Sequence, residues 1–114
     1  MISIACNIQE CYFEIIKKHF TSKDFYLEKF NPASYDDIYF IEINTLNDLD
    51  KIHQINRYPE TLIYIIGPND FHLLNECLTL GIHLYFEKDD LENSLHSKSE
   101  TIHQQIFTRF KTYH

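Results

Sequence analysis

The chain has 114 residues, a net charge of −7 at neutral pH and a hydrophobic content of 44%. This length suits one domain that buries its own core, and the hydrophobic content argues against a disordered chain. The acidic balance disfavours direct binding to nucleic acid or to anionic membranes, because both partners require clustered Lys and Arg.

Apolar runs and turn residues in the first part of the chain predict three strands and one helix. Residues 2–6 form a short apolar run typical of a buried strand, and residues 8–20 carry apolar side chains at helical spacing. An alternating second strand follows at 25–30, and a third strand at 37–43 is apolar enough to be buried on both faces. The segment 31–36 is too short for a regular helix, so we expect the second crossover helix to be shortened or absent.

The second part of the chain continues the alternation of helices and strands. The pattern predicts a helix over about 46–56, a strand at 61–66, a helix over about 70–80 and a strand at 82–86. From about residue 89 onward the chain is predicted to be helical.

A sequence at 97–100 that resembles a capping box allows this last stretch to divide into two helices. The resulting order β-α-β-β-α-β-α-β-α predicts a single α/β domain over residues 1–114. We expect a doubly wound, mainly parallel five-stranded sheet of the flavodoxin-like type, with helices on both faces.

Two of the predicted strands end next to a charged residue. Glu42 lies at the end of the third strand and Lys88 follows the fifth. The carboxyl ends of parallel strands meet at one edge of the sheet, which is where doubly wound proteins place their sites. The sequence therefore predicts a site at this edge that contains Glu42 and Lys88.

The sequences around these two residues resemble a known family. Asp37-Ile-Tyr-Phe-Ile-Glu-Ile43 is similar to the third strand of response-regulator receiver domains, and Tyr85-Phe-Glu-Lys88 is similar to the fifth. The pair Asp89-Asp90 after the lysine resembles the accessory-gene-regulator type, whose receivers precede LytTR DNA-binding domains. The resemblance covers the whole chain in element order and implies the CheY-like receiver fold.

The resemblance also implies a phosphorylation site that has lost most of its groups. Working receivers carry an acidic pair after strand one, a phospho-accepting Asp ending strand three, a hydroxyl after strand four and a lysine after strand five. The matching positions here are Asn7 and Ile8 for the acids, Glu42 for the acceptor, Ile66 or Gly67 for the hydroxyl, and Lys88. Without the carboxylate pair, Mg²⁺ has little to bind and aspartyl-type phosphorylation loses its electrostatic support.

The chain is therefore interpreted as a degenerate pseudo-receiver, a non-enzymatic domain with no metal and no cofactor. Glu42 and Lys88 either form a fixed ion pair that imitates the phosphorylated state, or Glu42 is a solvated acid whose pairing contributes little. Tyr85 is the candidate switch aromatic, and the alternative is a plain half-buried tyrosine. None of the seven histidines has the close spacing of a zinc motif.

The predicted role is regulation through protein contacts in a bacterial transcriptional regulator. In receivers the helix 4–strand 5–helix 5 face is the usual dimer surface, which here covers about 70–80, 82–86 and 89–110. We therefore expect a homodimer. If the chain is a fragment, we expect a LytTR-type DNA-binding domain to follow it, while this domain itself contacts neither nucleic acid nor membrane.

Other interpretations remain open at this point. The chain is alternatively a stand-alone antagonist or adaptor of another receiver, or a small α/β ligand-binding protein or enzyme with its site at Glu42 and Lys88. The N-terminus lacks a secretory signal, and no stretch approaches the roughly 20 apolar residues of a membrane span. We therefore expect a cytoplasmic protein in which Cys6, Cys11 and Cys77 are reduced thiols.

Overall fold

The structure, a computed structural model, describes residues 1–110 and is organised around a five-stranded sheet. The strands are β1 (Ile2–Asn7), β2 (Phe25–Lys29), β3 (Ile38–Glu42), β4 (Leu62–Gly67) and β5 (Leu84–Glu87). Neighbouring strands all run parallel, in the spatial order β2-β1-β3-β4-β5. This is the flavodoxin-like order, with its topological switch point between β1 and β3, so the predicted fold class is confirmed.

Helices cover both faces of the sheet, as predicted. On one face lie α1 (Glu10–His19), α4 (Leu91–Ser97) and α5 (Ser99–Arg109), and on the other lie α2 (Asp50–His53) and α3 (Phe71–Thr79). Short 3₁₀ turns at Leu46–Leu49 and Lys88–Asp90 precede α2 and α4. The C-terminal stretch does divide into two helices, and Lys98 lies at the break between them.

The two central strands are buried on both faces. Every residue of β3 and β4 is buried, because alternate side chains enter two separate hydrophobic clusters. Phe40 and Tyr64 pack with Ile106 beneath the C-terminal helices, whereas Tyr39 and Ile65 belong to the cluster that α2 and α3 cover. Burying each such side chain is worth about 1.5–3 kcal/mol, so the double-sided core fixes the strand order around it.

The crossover from β2 to β3 contains no helix in residues 30–37, all of which are described. Polar contacts hold this segment instead. The side-chain amide of Asn56 donates to the carbonyls of Pro32, at 2.9 Å, and Ser34, at 3.0 Å. The irregular crossover anticipated from the short 31–36 interval is therefore confirmed, and a side chain near the end of the next crossover substitutes for helical packing.

Two helices differ in extent from the sequence prediction. The helix expected over 46–56 is a 3₁₀ turn followed by α2, which ends at His53. The carboxylate of Asp48 accepts from the backbone N–H groups of Asn44 (2.7 Å) and Thr45 (3.1 Å), which fixes the start of this turn. Helix α1 begins at Glu10 rather than at residue 8, because Ile8 and Gln9 form the turn that leaves β1.

The sequence analysis found no stretch long and apolar enough to span a membrane, and the helices can be compared with that expectation. None of the helices in residues 1–110 combines the length and the apolar character that crossing a bilayer requires. The predicted C-terminal helix extends through residues 111–114, which lie outside the described part of the chain.

Candidate functional site

The carboxyl edge of the sheet brings Glu42 and Lys88 into direct contact. Glu42 ends β3 and Lys88 follows β5, with β4 between these two strands. The Lys88 Nζ atom lies 3.0 Å from Glu42 Oε2, and the two side chains are only 15% and 5% exposed. Glu42 is therefore a buried, paired carboxylate and not a solvated acid at a strand end.

A residue that the sequence comparison did not single out, Gln9, completes the coordination of this carboxylate. The Gln9 backbone N–H donates to Glu42 Oε1 at 2.8 Å, and its side-chain amide donates to Oε2 at 2.6 Å. Gln9 directly follows the two positions that match the acidic pair of receivers. Its place in the turn just after β1 was the available signal, because that strand ends at the same edge.

Two further residues tie the segment after β3 to the same pair. Lys88 also donates to the side-chain oxygen of Asn44, and Lys51 donates to the Glu42 backbone carbonyl at 3.0 Å. Asp48 lies 3.8 Å from the Lys51 ammonium. Three strand ends and the start of α2 are therefore joined through one network centred on Glu42.

The protonation state of Glu42 follows from these contacts. Burial by itself would raise the pKa of Glu42, but the hydrogen bonds donated by Gln9 and Lys88 outweigh it and lower the pKa below the ordinary value. Glu42 is therefore an anion at neutral pH. Each of its oxygens already accepts at least one hydrogen bond.

The Mg²⁺ ion that working receivers use does not fit this set of residues. Asn7 and Ile8 offer no carboxylate, and Lys88 occupies the approach to Glu42 Oε2. Across residues 1–110, no group of three or more His, Cys, Asp or Glu side chains is arranged to hold a metal ion. A hard dication prefers several oxygen ligands, so a lysine-paired single carboxylate is a poor site for it.

A small cavity lies beside the ion pair. Its volume is about 280 Å³, and it is lined by Asn7, Ile8, Gln9, Glu42, Asn44 and Lys51. This is slightly below the roughly 300–1,000 Å³ of typical ligand pockets. Asp90, one of the acids near Lys88 in the sequence, instead accepts hydrogen bonds from Asn93 and Ser94 at the start of α4.

The position of the missing hydroxyl is filled by an aromatic ring. Ile66 points into the hydrophobic core, and Gly67 ends β4 against Tyr85. A Cβ atom on Gly67 would come within 2.8 Å of the Tyr85 ring carbon Cζ and still closer to its hydroxyl oxygen. No Ser or Thr side chain fits at Gly67 while Tyr85 holds this position.

Tyr85 is held inward by its own hydrogen bond. Its hydroxyl donates to the Pro68 carbonyl at 2.6 Å, and burial raises its pKa to about 12. The hydroxyl is therefore engaged with the protein, unlike that of a plain half-buried tyrosine whose hydroxyl lies in water. Packing against Gly67 and bonding to Pro68 together fix the ring over the end of β4.

The thiols and His83 take no part in the network around Glu42 as far as its described contacts go. Cys6 and Cys77 are buried and Cys11 is exposed, and all three are free thiols. His83 has a structural role, because its Nδ1 accepts a hydrogen bond from the Ile63 backbone N–H at 3.0 Å. The His83 backbone N–H also donates to the Ile63 carbonyl at 2.8 Å, so these two bonds together tie the residue before β5 to β4.

Several solved structures share the fold of this chain. The pilus assembly protein CpaE from Caulobacter crescentus aligns with a TM-score of 0.63 at 14% identity, over 90% of this chain and 99% of that one. A response regulator protein from Burkholderia multivorans aligns with a TM-score of 0.60 at 13% identity, over 90% and 95% of the two chains. A putative CpaE2 pilus assembly protein from Sinorhizobium meliloti gives 0.56 at 15% identity, over 83% and 98%.

These likenesses concern the fold alone, because the identities are low. They confirm the CheY-like receiver fold that the two strand motifs implied. No protein-family model matches the sequence, and no curated protein matches it significantly.

Removing one partner of the Glu42–Lys88 ion pair is expected to destabilise the fold, because the pair is buried. Lys88→Met leaves an ionised Glu42 with only the Gln9 donors, which should lower the free energy of unfolding by about 2–4 kcal/mol. The double variant Glu42→Gln/Lys88→Met should lose less of the free energy of unfolding, because no buried charge is left without a partner. Urea denaturation at pH 7 measures both values.

Lys29→Met provides the matched control for this experiment. Lys29 pairs with Glu10 at 3.8 Å, but these side chains are 79% and 68% exposed, so little stability should be lost. Equal losses in Lys88→Met and Lys29→Met would contradict a buried, stabilising pair at the sheet edge.

Gly67 is expected to resist substitution because of Tyr85. Gly67→Ala should destabilise the fold by about 1–3 kcal/mol through overpacking, and the loss should shrink when Tyr85→Leu is also present. Gly81→Ala is the control. Gly81 has a φ of 78°, so this substitution destabilises the fold through backbone strain that Tyr85 does not influence. Additive losses for Gly67→Ala and Tyr85→Leu would show that the ring does not exclude a side chain there.

Proposed function

We propose that this domain is a phosphorylation-independent pseudo-receiver that regulates through protein contacts, as part of a bacterial transcriptional regulator in the cytoplasm. The observation that carries the proposal is the closed network around Glu42 at the acceptor position of a receiver fold. A phospho-acceptor must present an oxygen to the incoming phosphorus atom. Here both oxygens are occupied by donors from Gln9 and Lys88.

The same network supports a fixed, active-like state. In working receivers the lysine pairs with the phosphate charge, and the aromatic on strand five moves in or out with signalling. In this chain the ammonium of Lys88 already has an anionic partner, and Tyr85 is already inward against Gly67. The role proposed for Glu42 is that of a permanent substitute for the phosphoryl charge, and the domain is non-enzymatic.

The dimer surface proposed for this state is the face formed by α3, β5 and the two C-terminal helices α4 and α5, over about 70–80, 82–86 and 89–110. Phe71 and Leu78 on α3 are 75% and 55% exposed. A cavity of about 260 Å³ between these elements is lined by both signs of charge, including Glu87 and Lys98. In a symmetric contact, an acid of one copy can meet the lysine of the other, which favours a homodimer on this face.

A second candidate function comes from the neighbours in fold. Among the similar structures described above, two are named as pilus assembly proteins and one as a response regulator. The alternative to a transcriptional regulator is therefore an adaptor that binds a partner protein and has no role in DNA binding. The coding sequence downstream of this domain distinguishes the regulator from the adaptor, because a LytTR-type DNA-binding domain encoded there would support the regulator alone.

The domain is expected not to accept phosphoryl groups. Incubation with acetyl phosphate, or with beryllofluoride, in millimolar Mg²⁺ should leave its mass unchanged and the backbone amide signals of residues 7–9 and 42 unmoved. A working receiver in the same mixture serves as the positive control. The variant Asn7→Asp/Ile8→Asp restores two carboxylates and should respond to Mg²⁺. Stoichiometric modification of Glu42 in the unaltered protein would refute the proposal.

The proposed dimer is expected to depend on α3. Phe71→Ser should shift the sedimentation coefficient from that of a dimer toward that of a monomer, because it removes an exposed apolar side chain from the contact. Tyr26→Ser on the edge strand β2 is the control, since Tyr26 is 52% exposed but lies at the opposite side of the sheet. A monomeric parent protein, or a dimer unaffected by Phe71→Ser, would contradict this surface.

A further inference from the structure

The side chain of His83 takes the place of a strand carbonyl where β5 begins. His83 directly precedes β5, and the pairing of Tyr64 with Leu84, extended by one residue, places it beside Ile63 on β4. The His83 backbone N–H donates to the Ile63 carbonyl at 2.8 Å, and the Ile63 backbone N–H donates to His83 Nδ1 at 3.0 Å. In a parallel ladder a backbone carbonyl normally accepts that second bond.

The bond from Ile63 to the ring requires a neutral imidazole. A backbone N–H can only donate, so Nδ1 must offer its lone pair, and the proton of the neutral ring therefore lies on Nε2. Protonation of His83 places a hydrogen on both ring nitrogens, which removes the acceptor. Because Ile63 is 0% exposed, its N–H would then be left buried without a partner.

The connection between α3 and β5 is also attached to the segment that precedes β4. The Arg57 guanidinium donates to the carbonyls of Leu80 at 2.8 Å and Gly81 at 3.0 Å, just after the end of α3. Gly81, with its φ of 78°, turns the chain from this helix toward β5. Residues 80–83 are therefore attached at one end through Arg57 and at the other end through His83.

The charged groups that act most strongly on His83 are two cations, Arg109 at the end of α5 and Arg57 in the segment before β4. Burial first, and then these two guanidinium groups, lower the pKa of His83 below its ordinary value of 6.5. Together they outweigh an opposing effect of the Ile63 backbone. His83 is therefore neutral at pH 7 and able to accept the Ile63 N–H.

We propose that His83 is a pH-sensitive switch, whose neutral ring fastens the connection between α3 and β5 to β4 and whose protonation releases it. In acid, the imidazolium loses the Ile63 N–H and is repelled by the two guanidinium groups, so residues 80–84 separate from β4. The switch acts at the amino end of β5, whereas Lys88 and its partner Glu42 lie at the carboxyl end. It depends on the hydrogen bonds described here and not on the regulatory role proposed above.

The pH range follows from the lowered pKa of His83. Because the folded-state pKa lies below that of the unfolded chain, the stabilisation is fully present above the ordinary value of 6.5, where the ring is neutral in both states. It is lost as the pH falls below this value and through the folded-state pKa. The connection should thus be fastened at neutral pH and released only in acid.

Nitrogen-15 NMR of the histidine rings measures the tautomer and the titration midpoint of His83 in the unaltered protein. At pH 7.5 the ring should be neutral with its proton on Nε2, and its midpoint should lie below the ordinary value of 6.5. A proton on Nδ1 at pH 7.5, or a midpoint at or above 6.5, would overturn the proposal.

Hydrogen exchange at the Ile63 amide provides the second readout, because the ring accepts this N–H. After correction for the intrinsic rate, its protection should fall on the order of tenfold between pH 7.5 and pH 4.5, as expected when a buried N–H loses its partner. His83→Asn keeps an acceptor oxygen at the position of Nδ1 at every pH, so protection should no longer depend on pH.

His72→Asn is the control for this variant, because His72 is an exposed histidine on α3 and its replacement should leave the pH dependence at Ile63 in place. Equal protection of the Ile63 amide at both pH values in the unaltered protein would contradict the switch. So would a loss of protection in acid that persists in His83→Asn.

Discussion

The carboxylate of Glu42 is the charge around which the carboxyl edge of this domain is arranged. It lies at the end of a strand whose every residue is buried, where an unpaired charge would cost several kcal/mol. Gln9 supplies two donors from the turn after β1, and Lys88 supplies an ammonium from the end of β5. Neutralising one side chain thus requires three chain segments, distant in sequence, to meet at fixed positions.

The chemistry of the edge is limited by the same contacts that stabilise it. A receiver that exchanges phosphoryl groups needs an accessible acceptor, a metal and a hydroxyl after strand four. In this domain the acceptor position is occupied by a bonded carboxylate, and the hydroxyl position by a glycine against which Tyr85 packs. The edge therefore resembles a receiver in shape and holds a closed ion pair in place of a reactive group.

The crossover from β2 to β3 is held by polar contacts, because it lacks a helix that could cover the sheet with apolar side chains. Polar contacts from Asn56 and the hydroxyl of Tyr39 hold it, and an acid, Asp36, is buried in the process. Replacing apolar helix packing by a short loop thus leaves a titratable group in a shielded position.

The sequence by itself determined the class of fold, the strand positions and the missing crossover helix. These depend on local patterns: runs such as 37–43 and 61–66 are apolar throughout, and the interval 31–36 is too short for a helix. It also placed Glu42 and Lys88 at the same edge, because parallel strands end together.

Only the tertiary structure decided that the two side chains touch, that Gln9 completes the network and that Tyr85 occupies the place of a hydroxyl. Side-chain pairing across strand ends depends on rotamers and on burial that no local pattern encodes, and only its position just after β1 pointed to Gln9.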